Sequence, residues 1–449
     1  MMNGLVIYRD LYDQKGPFLY LLFGIAYLIS HKTFFGVFIF EVIAAALTLF
    51  FAGRLISRRS NETMAYLAIP VLAAGMYSSW SFYWGGAAEE FCLPMFAYSI
   101  YALDGILHDY YEEKDIAKII SIVGVLAGIT AEVKYTMLGF YAAWFFIALI
   151  YLFKNRGFKE SLLLGIRFIL YAAIPTLIWF VYFIFTGSLD DWYRCYIYNN
   201  LFFYTDVTGI DSSFIKKSYE ITKNLYWLIF DSFSYFVFII AGFIIQLFGE
   251  KGIIRKVSSL IMFAMTYFVI FIGGNKLAYY SIPLMTFAIP GVAYLAGLIH
   301  SFTKNINVNK GIVLLGCVVV LGAGTAFSGF NCQSSEFRKQ DKESLWLYRM
   351  ASQMDIDQKT TLLNINALDV GLYTITGIVP NCEYFQTNGI GLPTMFEEQH
   401  RYIKEGVTDY VIASFGTPDN IDEHYELLTS ETYYTNGEPR EYYLYKKVR

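Results

Sequence analysis

Hydrophobic and polar positions alternate along this chain as long apolar runs with short charged breaks up to about residue 330, after which the pattern changes. Ten runs, over 34–57, 63–79, 91–107, 117–133, 136–153, 161–186, 225–248, 257–273, 277–299 and 311–330, approach or reach the roughly 20 apolar residues that carry a helix across a bilayer core of about 30 Å. Lipid offers backbone polar groups no partner, so each run is expected to be a helix. A further run over 17–30 is shorter, about 21 Å at helical rise. It reads either as a crossing or as an amphipathic juxtamembrane helix lying along the interface.

From residue 331 the sequence mixes Asp, Glu, Lys and Asn with short apolar stretches, the pattern of a water-exposed module. Segments 361–365, 410–414 and 442–446 read as strands, and 393–405 and 420–429 as helices. The expected fold is therefore an all-α polytopic membrane domain over 1–330, with about ten transmembrane helices plus a juxtamembrane helix, followed by a small soluble α/β domain over 331–449. Asn388-Gly389-Ile390-Gly391 lacks the third glycine of a dinucleotide loop and reads as a turn.

Composition narrows the function class. Apolar residues make up 56% of the 449 and charged ones 16%, against about a quarter charged in soluble domains. The net charge of -4 argues against nucleic acid, which needs clustered Lys and Arg. Five cysteines (Cys92, Cys195, Cys317, Cys332, Cys382) form no CxxC pair, and five scattered histidines show no HExxH spacing, so no metal or redox motif is expected. A Cys332–Cys382 disulfide stays open for an oxidising exterior.

Charge also orients the chain. Arg54, Arg58 and Arg59, then Lys114 and Lys118, Lys154, Arg156 and Lys159, Lys251, Arg255 and Lys256, and Lys304 and Lys310 fall on alternate connections, while the short opposite connections hold only Lys32, Lys134 and Lys276. The positive-inside rule puts the first set in the cytoplasm. The sequence thus predicts a multi-pass plasma-membrane protein with an extracytoplasmic C-terminal domain.

Ionisable residues near lipid are costly and mark candidate sites. Four groups fall on the predicted outer side. Tyr8-Arg9-Asp10-Leu11-Tyr12-Asp13-Gln14-Lys15-Gly16-Pro17 precedes the short apolar run and could also be a solvated lead-in. Glu89-Glu90 open a helix, where the dipole favours acids in any case. Glu132-Val133-Lys134 sits between two helices with almost no loop, and mutual ion pairing is the structural alternative. Lys276 with Tyr279-Tyr280 leads a late helix, where a lysine can snorkel.

At these residues the chain resembles the GT-C superfamily of polyprenyl-phosphate-sugar-dependent glycosyltransferases, related to protein O-mannosyltransferases and the lipid A aminoarabinose transferase. The likeness spans the membrane region, and Tyr8-Arg9-Asp10 followed by Asp13-Gln14-Lys15-Gly16-Pro17 is its most telling piece. The resemblance implies donor-phosphate contacts by Lys15, Lys134 and Lys276 and catalytic carboxylates among Asp10, Asp13, Glu89 and Glu90. Tyr8, Tyr279 and Tyr280 would line the substrate cavity, and Lys15, Lys134, Lys276 and one glutamate would share it. It implies inverting transfer of a sugar from a polyprenyl-phosphate donor to a glycan, lipid or protein hydroxyl of the envelope, with the bilayer as partner and no identified cofactor or metal. The family's principal catalytic Asp lies on a helix that would precede residue 1. The favoured expectation is a fragment or mis-started chain, the alternatives being a substitute carboxylate or lost activity. A transporter or flippase of a lipid-linked or polar solute would instead show inverted repeats, and a non-catalytic scaffold is the third class.

Overall fold

The computed structural model describes residues 2–82, 85–203, 214–273, 277–305, 310–329, 341–367, 371–387, 390–435 and 438–448. All ten long apolar runs are helical. They comprise α2 (Phe35–Arg59), α3 (Glu62–Tyr77), α4 (Leu93–Leu107), α5 (Glu113–Ala131), α6 (Leu138–Arg156) and α7 (Phe158–Thr186), preceded by the short α1 (Pro17–Ile29), and then Phe214–Asp231 with Phe233–Gly249, Ile253–Phe271, Ala278–Thr303 and Lys310–Ser328. Among the described residues seven of these meet the length and apolarity of a crossing by themselves, and a helix pair bent by 107° at Ser232 meets them only when taken together. The protein is a multi-pass membrane protein.

Two compact units form, one from Met1–Val37, Phe180–Gly209 and Gln333–Arg449, the other from Phe38–Trp179 and Ile210–Cys332. In the second unit α4 and Ala278–Thr303 are the most enclosed helices, whereas Lys310–Ser328 leaves nearly all its apolar side chains outward. That contrast is what lipid, rather than water, selects on a bundle's rim. Close approach inside the bundle depends on small residues: a Cβ on Gly291 would overlap the Phe238 carbonyl, and one on Gly242 would overlap Gly291. Phe96 stacks on Phe140 at 4.2 Å, and the Trp144 indole N–H donates to the Ser99 carbonyl at 2.7 Å.

One end of this unit is held by a buried ionic network. Asp104 accepts from Arg58 Nη1 at 3.3 Å and from Arg59 Nε at 3.0 Å, and Glu250 accepts from Arg59 Nη1 at 2.7 Å. His108 and the Tyr294 hydroxyl close on Glu250, each at 3.1 Å. Burial opposes ionisation of Glu250, yet the His108 and Arg59 hydrogen bonds and the Arg59 charge hold its carboxyl down at about 2.

The C-terminal part is a four-stranded sheet in the order β1-β2-β4-β3, with β1 (Leu362–Ile365) parallel to β2 (Tyr410–Ser414) and β4 (Glu438–Lys447) antiparallel to both β2 and β3 (Tyr425–Thr435). Both faces are covered, one by Met350, Leu372 and Ile378, the other by Cys382 and Ile403. The helix expected over 393–405 is Pro393–Lys404. The helix expected over 420–429 is overturned: a single turn, Ile421–Glu423, leads straight into β3. Tyr- and Thr-rich sequence there finds β4 to pair with from Tyr425↔Lys447 to Thr435↔Glu438, and cross-strand packing outweighs the weak helical pattern. Cys332 and the Asn388-Gly389 pair lie outside the described residues.

Candidate active site

The candidate residues divide between the two units. In the second, α4 is entered through a 3-10 turn, Glu90–Cys92, with Pro94 in the first helical turn where its missing N–H costs nothing. Glu89 sits at the start of this turn, 1% exposed. Between Ala131, where α5 ends, and the turn Tyr135–Met137 that starts α6, three residues reverse the chain, and Lys134 takes an extended backbone. Its side chain reaches across to form an ion pair with Glu89 Oε1. The Lys134 ammonium also lies over the Tyr280 ring at 3.9 Å and the Tyr279 ring at 5.5 Å. A cation over an aromatic face is stabilised by the ring quadrupole, more so away from water.

The other oxygen of Glu89, Oε2, is buried without a hydrogen-bond partner. Buried polar atoms are nearly always paired, so an orphan acceptor beside a lysine marks a place for an incoming donor. Lys134 pairs with Glu89 and not with its sequence neighbour Glu132. Glu132 instead accepts from the Thr176 hydroxyl at 2.5 Å, because the two residues flank the chain reversal and leave in different directions. Glu90 is turned elsewhere: it accepts from the Ala87 N–H at 3.2 Å and lies beside Glu41. Glu41 in turn accepts from the Gly86 N–H, in a turn that needs left-handed backbone at Gly85 and Gly86. Sequence reasoning passed over Glu41, although a lone carboxylate inside the apolar run of α2 is the signal that could have found it. Lys276 lies outside the described residues.

The remaining candidates are in the first unit, on a tight strap before α1. Tyr8 is fully buried with φ 73° and packs on Phe183 at 5.6 Å and Tyr196 at 6.4 Å. Its hydroxyl donates to the Lys15 carbonyl at 2.5 Å. Tyr8 is a core residue of this unit that fixes the Lys15 backbone. Asp10 bonds Arg9 Nε at 2.8 Å and the Val6 N–H at 2.7 Å. The hydrogen bond from Arg9 foremost, with that of Val6, holds its carboxyl below the ordinary carboxylate range against the effect of burial. Asp13 accepts from the Gln14 N–H at 2.6 Å.

This strap is clamped to the C-terminal sheet domain of the same unit. The Tyr12 N–H donates to the Glu383 carbonyl at 2.8 Å, the Tyr12 ring meets Tyr384 at 5.2 Å, and Asn200 Nδ2 donates to the Gln14 carbonyl at 2.9 Å. Arg194 bridges Asp191 and Glu383, each at 3.4 Å. Burial pushes the Glu383 carboxyl up to about 6, Arg194 opposing and Glu398 and Asp191 adding. The folded protein therefore holds this proton more tightly than the unfolded chain between 4.5 and about 6, and stability falls as pH rises through that window. Glu383→Gln is expected to remove this slope and raise the melting temperature near neutral pH. Thermal unfolding of the full chain on both sides of the window checks it, and a variant curve parallel to the parent's would contradict it.

Solved structures share this architecture. ArnT from Cupriavidus metallidurans, in crystals bound to undecaprenyl phosphate, superimposes with a TM-score of 0.63 at 12% identity, over 97% of this chain and 89% of that one. Its apo crystal form gives 0.62 over 97% and 88%, again at 12% identity. The archaeal oligosaccharyltransferase AglB from Archaeoglobus fulgidus follows at 0.46 and 14% identity, over 96% of this chain and 66% of that chain. The chain thus shares the fold of ArnT. Within it, residues 14–179 match the sequence profile of the dolichyl-phosphate-mannose-protein mannosyltransferase family. No curated protein matches the chain by sequence.

Proposed function

We propose that the protein is a glycosyltransferase that moves a sugar from a polyprenyl-phosphate carrier to an acceptor hydroxyl at the outer membrane face, with inversion. The observation that carries this is the buried Lys134–Glu89 pair under Tyr280, with one carboxylate oxygen left unpartnered. The ArnT fold, seen elsewhere with undecaprenyl phosphate, supports a lipid-phosphate donor. In the reaction the acceptor oxygen bonds to the anomeric carbon as the bond from that carbon to the phosphate oxygen breaks. The acceptor proton passes to Glu89, and the polyprenyl phosphate departs with the bonding electrons. Negative charge gathers on the phosphate, where Lys134 stabilises it; proton removal by the carboxylate adds the usual general-base contribution. An envelope glycan, lipid or protein supplies the acceptor hydroxyl.

The test supplies labelled polyprenyl-phosphate sugars to the purified protein in proteoliposomes with an envelope extract as acceptor. Release of polyprenyl phosphate with label on the acceptor supports the reading, and an untouched donor pool removes it. The orientation has its own check: an impermeant amine reagent is expected to reach the lysines of the C-terminal domain only from outside the cell, and labelling from the cytoplasmic side alone would reverse it.

A further inference from the structure

After Glu160 the helix α7 carries a single charge, Arg167, nine residues or about 14 Å past its start. That is deeper than the roughly 5–8 Å of headgroup layer on one side of a bilayer. The Arg167 Nε donates to the Ser121 hydroxyl of α5 at 2.5 Å, and the guanidinium lies over the Tyr171 ring at 5.2 Å. Ser121 gives its own proton to the Ala117 carbonyl at 2.9 Å, so an oxygen lone pair faces the arginine. The two helices meet just beyond this contact. A Cβ on Gly124 would overlap the Phe168 carbonyl, and one on Gly128 the Ala172 carbonyl; small residues four apart let backbones approach so closely. The order Ser121 to Arg167, Gly124 to Phe168 and Gly128 to Ala172 makes α5 and α7 parallel, with their starts at the same end.

A neutral hydroxyl does not balance the charge. Among the described residues no carboxylate pairs with Arg167, and the bond to Ser121 engages only Nε. Of the carboxylates at this end, Glu160 pairs with Arg156 at 3.1 Å, and Asp115 is turned about 120° from Ser121 around α5. An ionised group set in lipid in this way marks a functional site. Its neighbours show where a counter-charge can enter. Leu163 and Leu170, one turn to either side, are 58% and 62% exposed, whereas Leu164 and Phe168 are buried. Arg167 therefore stands at the seam between the bundle and the lipid. Lys118 is exposed and precedes Ser121 by three residues, on the same face of α5, so a second cation flanks the groove nearer the helix starts. An arginine fork matches phosphate oxygens two at a time, and basic pockets between membrane helices take acidic lipid heads. A choline head would bring its own cation against Lys118.

We infer that the groove between α5 and α7 binds the phosphate of an acidic membrane lipid, held by Arg167 with Lys118 at its lip. The site is separate from the Lys134–Glu89 pair, since the ten residues from Ser121 to Ala131 put about 15 Å of α5 between them, and it does not depend on the transferase reading. The full chain is placed in nanodiscs of equal phosphatidylglycerol and phosphatidylcholine with matched acyl chains, then released into native mass spectrometry, where the retained lipids are counted. Phosphatidylglycerol is expected to be retained over phosphatidylcholine by at least about fivefold, the worth of one basic residue beside acidic lipid. Most of that preference should be lost in Arg167→Gln, part of it in Arg167→Lys and in Lys118→Gln, and none in Lys251→Gln, which removes the same charge at another connection. Lys118 is exposed, so its replacement keeps the test sound should Arg167→Gln misfold. A preference that survives in Arg167→Gln, or in Lys118→Gln where the first does not fold, would overturn the inference. So would an equal loss in Lys251→Gln. Displacement of the retained lipid by inorganic phosphate would overturn it too, by giving the groove to a free ion.

Discussion

Replacing Lys134 by alanine is expected to lower sugar transfer from a polyprenyl-phosphate donor by at least about 10²-fold, the loss found when one aimed stabiliser of developing negative charge is removed. Membrane insertion should be unaffected, because the change adds no charge to any apolar run. The substitution also leaves Glu89, with a side chain 2% exposed, without its counter-charge, and a buried carboxylate stripped of its partner destabilises by about 3–5 kcal/mol. Two effects must therefore be separated. Lys134→Ala combined with Glu89→Gln removes the orphan charge, so it should recover stability and stay inactive. Lys134→Arg keeps the charge but changes its shape, and should retain partial turnover with a weaker response to donor concentration. Turnover measured beside thermal unfolding decides the matter: full activity in Lys134→Ala would exclude the assigned role, and activity regained in the double variant would reduce it to a structural one.

Replacing Asp104 by alanine is expected to cost about 3–5 kcal/mol of stability, since it leaves two buried guanidinium groups short of charge. Arg58 and Arg59 have side chains only 12% and 15% exposed. Glu250 shares Arg59 with Asp104, so the two carboxylates should not act independently. Losses in Asp104→Ala and Glu250→Ala are expected to depart from additivity in the double variant by the roughly 0.5–3 kcal/mol of residues in one network. With the Glu250 carboxyl held at about 2, its contribution is present above the ordinary carboxylate range and is lost only as pH falls toward that value. Strict additivity, or an Asp104→Ala protein that melts with the parent, would show that the network contributes little. The network stands at the C-terminal end of α4 and Glu89 before its start, about 22 Å apart along 15 residues of helix. A stability defect in Asp104→Ala is thus separable from any effect on the charges beside Lys134.

How much of the site was legible follows from these residues. Lys134 and Glu89 both stood out as charges at the ends of apolar runs, where lipid makes an ionisable group conspicuous. Their pairing did not, because 45 residues separate them and Glu132 stood nearer in sequence. Glu90, adjacent to Glu89, was indistinguishable from it until the 3-10 turn sent one toward Lys134 and the other toward Glu41. Tyr8 and Asp10 carried a recognisable pattern. That pattern records a strap folded on itself as readily as a cavity wall, and burial separates the two.

The sequence by itself determined the membrane class, the position of the long apolar helices other than the pair bent at Ser232, and the C-terminal strands β1, β2 and β4 with the helix before β2. Those follow from local physics: a run of about 20 apolar residues has one stable form in lipid, and alternating patterns declare strands. Tertiary structure alone decided that 425–435 is a strand, that Lys134 chooses Glu89, that Glu41 joins Glu90, and that three serines, an asparagine and an aspartate gather around one cavity. Each is a contact between residues far apart in the chain, and its energy depends on burial and geometry that no local window contains.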